Sequence, residues 1–238
     1  MSFDPEQYHN IATGRVFILG CGPSLIDQLD LLPKLADEAT ITCNGMLLWE
    51  ELPFTPTYHM TTDIPSRKLL DPLVGTKRTK RFSFQREGET PHEAFEVVPM
   101  GPDSEQVSAS GMASMGEEWE DLRTARTTPL TIAQFAWWMG YREFLFLGIE
   151  QTRGYAWNVE ATTSATGRST FPLDKNAKYL LAIQRSAIKM RDQIEEAGGE
   201  IFDCTPGGFL NRTCPVKQTE NSVTVKEILE YLPLESAL

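Results

Sequence analysis

Apolar residues along this chain come in short runs, each closed by glycine or by a polar pair. VFILG at 16–20 is a continuous apolar run ended by glycine, the pattern of a strand buried on both faces. Beyond it Leu25, Leu29, Leu32 and Leu35 fall at helical spacing, and Pro23 suits a first helical turn. A helix is therefore predicted from about Pro23 to Leu35. ATITCNG at 39–45 predicts a second strand ending at Asn44-Gly45, and MLLWEEL at 46–52 predicts a short helix. TPTYHMTTD at 55–63 predicts a third strand, stopped by Asp63 and Pro65. Strand, helix, strand at this rhythm marks a right-handed parallel crossover unit.

The stretch 64–126 is less regular. It holds strand-like runs at RFSFQ (81–85) and FEVVPM (95–100), then the Gly/Met/Ser/Glu-rich SASGMASMGEEWE (108–120). It reads as an irregular connection packed on the same domain. Order returns near 127. Thr128 is the predicted N-cap and Pro129 the first helical residue of TIAQFAWWM, a helix apolar nearly all round. Gly140 stops it, and FLFLGIE at 144–150 is another buried strand. The polar run QTRGYAWNVEATTSATGRSTF (151–171) is too long for a plain connection, and 152–173 is read as a lid. A helix from about Asp174 to Ala197, a strand at GEIFDCT, a turn at PGGF and a closing helix at SVTVKEILEYL complete the alternation. The expected fold is α/β: a Rossmann-like, doubly wound, mostly parallel sheet in one domain spanning 1–238.

Composition narrows the partners. No apolar run reaches the roughly 18 residues of a membrane span, and MSFDPEQYHN is polar and acidic, unlike a secretory signal. Cys21, Cys43, Cys204 and Cys214 show no C-x-x-C spacing, and they read as free thiols of a reducing, cytoplasmic setting. A net charge of −11 argues against broad attraction to nucleic acid or anionic membrane. The local exception is KRTKR (77–81), read as a solvated face, with contact to an anionic acceptor as the alternative.

Candidate chemistry gathers where the strands end, which is where doubly wound sheets bind ligands. On this ground the donor-site candidates are Gly20, Gly22, Pro23 and Ser24, then Asn44 and Gly45, then Thr62 with Asp63, then Gly148 with Glu150 and Gln151. Thr205-Pro206-Gly207-Gly208 sits similarly. The GCGPSL turn starts like a dinucleotide fingerprint, but Leu25 stands where the third glycine belongs, which favours a mononucleotide or nucleotide sugar. Its backbone N–H groups and the following helix N-terminus are expected to meet phosphate, with Ser24 adding a hydroxyl. Simpler readings stand beside these: tight geometry for Gly20 and Gly22, a turn former at Asn44, a helix cap at Asp63. His59, inside an apolar strand, reads as a core histidine rather than a base. No Ser-His-Asp order and no H-E-x-x-H pattern is present. In the lid, Tyr155 and Trp157 are suited to stack on a base or sugar ring.

GCGPSL, ITCNG and FTPTYHMTTD together resemble the opening of the 6-hydroxymethylpterin diphosphokinase-like family, and GYREFLFLGIEQ and CTPGGFLN are similar to its later motifs. The same GPSL opening followed by GYREFLFLGIE resembles bacterial sialyltransferases that use a CMP-sugar donor. The matched parts touch both ends of the chain and omit 64–126. The resemblance implies a Rossmann-like transferase with donor-binding roles for Gly20, Gly22, Pro23, Ser24, Asn44 and Thr128, and a catalytic role for Asp63, or a metal role if Mg²⁺ is used. Glu150 stands where both families have Asp, and 152–173 lacks the lid histidine that the sialyltransferases use as base.

Three readings of function are open. One is sugar transfer from a nucleotide-sugar donor to an acceptor hydroxyl, with Asp63 or Glu150 as base. Another is ATP-dependent pyrophosphoryl transfer to a small hydroxymethyl compound, with Mg²⁺ on carboxylates. The third is a nucleotide-binding module without catalysis. The acceptor is open among a glycan, a modified nucleobase and a small metabolite.

Overall fold

A computed structural model describes residues 3–62, 79–85, 95–101, 113–125, 127–149 and 177–205. Among the described residues seven strands form one sheet: β1 (Arg15–Leu19), β2 (Thr40–Cys43), β3 (Tyr58–Thr61), β4 (Lys80–Gln85), β5 (Glu96–Pro99), β6 (Glu143–Leu147) and β7 (Glu200–Asp203). Their order is β5-β4-β3-β2-β1-β6-β7, with every neighbouring pair parallel. The chain walks outward from β1 through β2 to β5, then returns to the other side of β1 at β6. That reversal beside β1 is the topological switch point of a doubly wound sheet, where a crevice opens beyond the strand ends. The expected α/β, Rossmann-like architecture is therefore present.

Two helices carry the face that holds Val16, Ile18, Phe82 and Phe144. In α1 (Thr128–Met139) all twelve side chains are buried, as the unbroken apolar run required. Phe135 sits at its centre, with ring centroids 5.0 Å from Phe82, 5.6 Å from Trp138 and 6.1 Å from Phe84. Truncating such a side chain costs about 3–5 kcal/mol. Gly140 ends the helix at φ +111°, a conformation that only glycine adopts without strain, and the Tyr141 N–H returns to the Ala136 carbonyl at 3.1 Å. The second helix, α2 (Ala177–Glu196), contributes Ile183, Met190 and Ile194 to the same core. No helix among the described residues is long and apolar enough to cross a membrane.

Four expectations change. The helix expected over 23–35 is two 3₁₀ segments, Pro23–Gln28 and Leu32–Asp37. Pro33 explains the break: it lacks an N–H, and its ring would meet the Leu29 carbonyl of a continuous α-helix. Residues 46–52 give only the end of a 3₁₀ turn, Asn44–Leu48. The irregular connection of 64–126 supplies two full members of the sheet, β4 and β5. The described part of the KRTKR run, 79–81, enters β4 and is a solvated face only at Lys80, while Thr79 is buried. Lys80 pairs with Glu96 at 3.1 Å, and Arg81 is only 8% exposed. The lid, the PGGF turn and the closing helix lie outside the described residues.

Candidate functional site

The strand ends at the switch point are tied together by backbone. Gly20 follows β1 and its N–H donates to the Leu147 carbonyl of β6 at 2.8 Å; the Gly22 N–H donates to the Gly148 carbonyl, also at 2.8 Å. The expectation that these two amides face phosphate is thus corrected: both are spent holding β1 against β6. A side chain on Gly20 would meet the Gly148 carbonyl, so glycine there answers close packing. Gly148 adopts φ +64°, and a Cβ on it would lie 2.7 Å from Leu25 Cγ. The leucine that replaces the third glycine of a dinucleotide fingerprint is therefore the residue that packs on this turn. Pro23 and Ser24 begin the 3₁₀ segment that follows, and it is too short to carry a helix dipole of consequence.

One strand over, polar side chains converge. Asn44 ends β2 in a left-handed conformation, φ +48°, which asparagine tolerates better than most residues. Its Oδ1 accepts from Thr61 Oγ1 at 3.3 Å and from Thr128 Oγ1 at 3.3 Å. Thr62 and Thr128 share a further hydrogen bond of 2.8 Å between hydroxyls. The ends of β2 and β3 and the N-terminus of α1 thereby meet at one point. Thr128 is not the N-cap as expected: Thr127 holds that position, with extended backbone. Thr128 occupies the first helical position, which leaves its hydroxyl for the cluster. The positive end of the α1 dipole adds attraction for a negative group at the same place.

Cys21 joins the two halves. Its thiol donates to the Cys43 carbonyl at 3.3 Å. Contact with the Cys43 side chain, then burial, pushes the Cys21 thiol well above its usual range, against the opposing pull of the Gly45 and Met46 amides. It is a protonated packing residue rather than a nucleophile. Cys21, Cys43 and Cys204 are all free, as expected. On the far side, the Ile149 N–H donates to Thr205 Oγ1 at 3.1 Å, pinning the chain just after β6 to the end of β7.

His59 is fully buried, and its Nδ1 lies 2.9 Å from Thr42 Oγ1. Burial, then the charge of Arg81, lowers its pKa to about 3. It is neutral at physiological pH and is no base, in agreement with the sequence.

The structure brings together Asn44, Thr62 and Thr128, and separately Gly20, Gly22 and Gly148, with Gly45 beside Cys21. Asp63, Glu150, Gln151, Tyr155 and Trp157 lie outside the described residues. Among the described residues no group of three or more His, Cys, Asp or Glu side chains is placed to hold a metal ion. Thr61 and Thr205 both belong to polar clusters that the sequence marks at strand ends, Thr61 with Thr62 and Asp63 and Thr205 with Pro206, Gly207 and Gly208, but neither had been given a role of its own.

No family model and no curated protein sequence matches the chain. Among solved structures, it is similar to the sialyltransferase CstII from Campylobacter jejuni in complex with CMP-3FNeuAc, at 15% identity over 84% of each chain and a TM-score of 0.49. It is similar as well to the sialyltransferase CST-II in complex with a trisaccharide acceptor and CMP, at 15% identity over 84% of each chain and a TM-score of 0.48.

Proposed function

We propose that this protein is a glycosyltransferase that takes a sugar from a nucleotide-sugar donor and gives it to an acceptor hydroxyl. The observation that carries the reading is the Asn44–Thr61–Thr62–Thr128 cluster, set beside the switch point at the end of α1. Hydroxyls and a carboxamide in that position suit a ligand rich in oxygen acceptors, and the helix dipole suits one with phosphate. The GPSL opening followed by GYREFLFLGIE, which resembles bacterial sialyltransferases that use a CMP-sugar donor, supports the same donor class.

In this reading the donor lies along the ends of β1, β2 and β3. Its phosphate faces α1, because the Gly20 and Gly22 amides are already bonded. Asp63 follows Thr62 directly in sequence and is the proposed base. A carboxylate beside bound phosphate suffers like-charge repulsion, which raises its pKa toward the range useful for accepting a proton. It would take the acceptor hydroxyl proton as the new glycosidic bond forms and the nucleotide leaves.

The test is release of nucleotide from a panel of nucleotide sugars with mixed acceptors, in wild type and Asp63→Asn. The variant should lose about a hundredfold or more in turnover while binding donor nearly as well. Normal turnover in well-folded Asp63→Asn removes it from the mechanism. Turnover that collapses in EDTA and returns with Mg²⁺, with ATP rather than a nucleotide sugar consumed, would favour pyrophosphoryl transfer instead.

A further inference from the structure

We propose that residues 3–12 form a strap that docks over the C-terminal end of α1, opens on its own while the rest of the fold holds, and through α1 sets the affinity of the Asn44–Thr128 site. The proposal rests on the nucleotide-sugar reading for the ligand of that site, and on the geometry of the strap for everything else.

One side chain anchors the segment. From residue 3 to residue 14 only Tyr8 is buried, and no part of the segment joins the sheet. The Tyr8 ring meets Phe82 edge-on, with centroids 5.1 Å apart, and stacks on Phe3 at 5.7 Å. Its hydroxyl donates to Glu96 Oε2 at 2.6 Å. The same carboxylate oxygen pairs with Lys80 at 3.1 Å, so the strap grips β4 and β5 at their first residues. Phe3 lies 6.2 Å from Phe135 and 6.0 Å from Trp138, and the His9 ring stacks on Trp138 at 5.5 Å. Two backbone bonds complete the seat: the Asn10 N–H donates to the Trp138 carbonyl at 3.3 Å and the Ala12 N–H to the Met139 carbonyl at 2.9 Å. Both carbonyls belong to the last turn of α1, which a helix cannot satisfy from within.

A segment with one buried anchor and no ladder bonds belongs to the low end of local stability. A hinge follows it: Thr13 and Gly14 are exposed, and Gly14 takes φ +75° with open space where a Cβ would stand. The other end of the coupling is also built. Every side chain of α1 is buried, so the helix shifts as a packed unit rather than bending locally. Thr128 lies about 15 Å from Trp138 along that helix, at 1.5 Å per residue, and its hydroxyl meets Asn44 and Thr62. Undocking the strap loosens the aromatic packing around Phe135 and Trp138 and wets the last carbonyls of α1. The helix then repacks on the sheet, and the Thr128 hydroxyl moves off Asn44. Docked and undocked strap are thus two states with different affinity at the site. By linkage, a ligand bound there holds the strap down by the same factor.

The test is amide hydrogen exchange in the full chain, on wild type, Tyr8→Ala and Tyr8→Phe. In wild type the Asn10 and Ala12 amides should exchange faster than those of β1 and β6. In Tyr8→Ala they should exchange about a hundredfold faster still, the loss of a packed aromatic anchor. Tyr8→Phe keeps the ring, loses the bond to Glu96 and should show about tenfold. The amides of β1 and β6 should not change in either. The coupling is read without ligand at the Thr131 amide, in the first turn of α1, and at the Ala125 amide, which donates to Thr131 Oγ1; both should exchange faster in Tyr8→Ala. CMP- and UDP-linked sugars are then titrated. The one that binds wild type should bind Tyr8→Ala about fivefold or more weakly, and at saturation it should slow the wild-type strap amides. Binding of neither sugar overturns the nucleotide-sugar reading and leaves the exchange data to judge the strap. Unchanged exchange at Thr131 and Ala125 with the strap open overturns the coupling. Strap amides that exchange only with global unfolding, or a Tyr8→Ala chain that unfolds throughout while Tyr8→Phe exchanges like wild type, overturn the strap itself.

Discussion

Thr128 Oγ1 donates to Asn44 Oδ1 across 3.3 Å, tying the first residue of α1 to the left-handed residue that ends β2. The bond crosses from helix to sheet at the edge where a donor is proposed to lie. Thr128→Val keeps the shape and removes the hydroxyl. Asn44 retains Thr61, so the loss in stability should be modest, about 1 kcal/mol by urea unfolding. Affinity for a nucleotide sugar should fall by about tenfold, one hydrogen bond to a charged group. Unchanged affinity with the expected stability loss would leave the threonine as helix packing alone.

The glycines of the first turn should separate from this behaviour. Gly148→Ala forces a Cβ to φ +64° and within 2.7 Å of Leu25 Cγ. Strain and overpacking together should cost about 2 kcal/mol or more. Gly20→Ala presses on the Gly148 carbonyl and should destabilise similarly. Donor affinity per folded molecule should hold in both, because the amides at 20 and 22 already serve β6. Calorimetry on samples corrected for folded fraction decides it; weakened binding in stable Gly20→Ala would return the turn to the ligand.

What the sequence revealed follows from how local each signal is. VFIL, FLFL and the TIAQFAWWM helix declared themselves because an apolar run with a glycine stop leaves little choice of structure. Pro33 was as legible as Pro23, and it splits the helix that leucine spacing alone suggests. The strands β4 and β5 were harder: β4 alternates polar with apolar yet buries Arg81 and Ser83, against the usual rule, and β5 is a run of four residues that buries Glu96 beside Val98. Asn44 and Thr62 were marked by their place at strand ends and Thr128 by the resemblance, and their side chains meet in the structure. The destination of the Gly20 and Gly22 amides was hidden, because it depends on β6, more than a hundred residues away in the chain.

Acid stability offers an independent check on the core. The His59 pKa falls from 6.5 to about 3, chiefly through burial and then through Arg81. Below pH 6.5 the unfolded chain takes a proton that the native state refuses until about pH 3. The stability from the neutral ring is therefore complete above the unfolded pKa and is lost as pH falls toward the folded one. The slope in mid-window is about 1.4 kcal/mol per pH unit. Urea unfolding at several pH values in this window should show a shallower slope for His59→Gln by about that amount. Equal slopes would assign the acid sensitivity to other groups.

The most direct measurement is calorimetric titration of a panel of nucleotide sugars and ATP into wild type and Asn44→Ala, each shown to be folded. The account predicts that a nucleotide sugar binds wild type more tightly than ATP. It predicts a loss of about tenfold or more for Asn44→Ala, which removes the acceptor shared by Thr61 and Thr128. Binding of no nucleotide sugar, or equal affinity in Asn44→Ala and wild type, would contradict it.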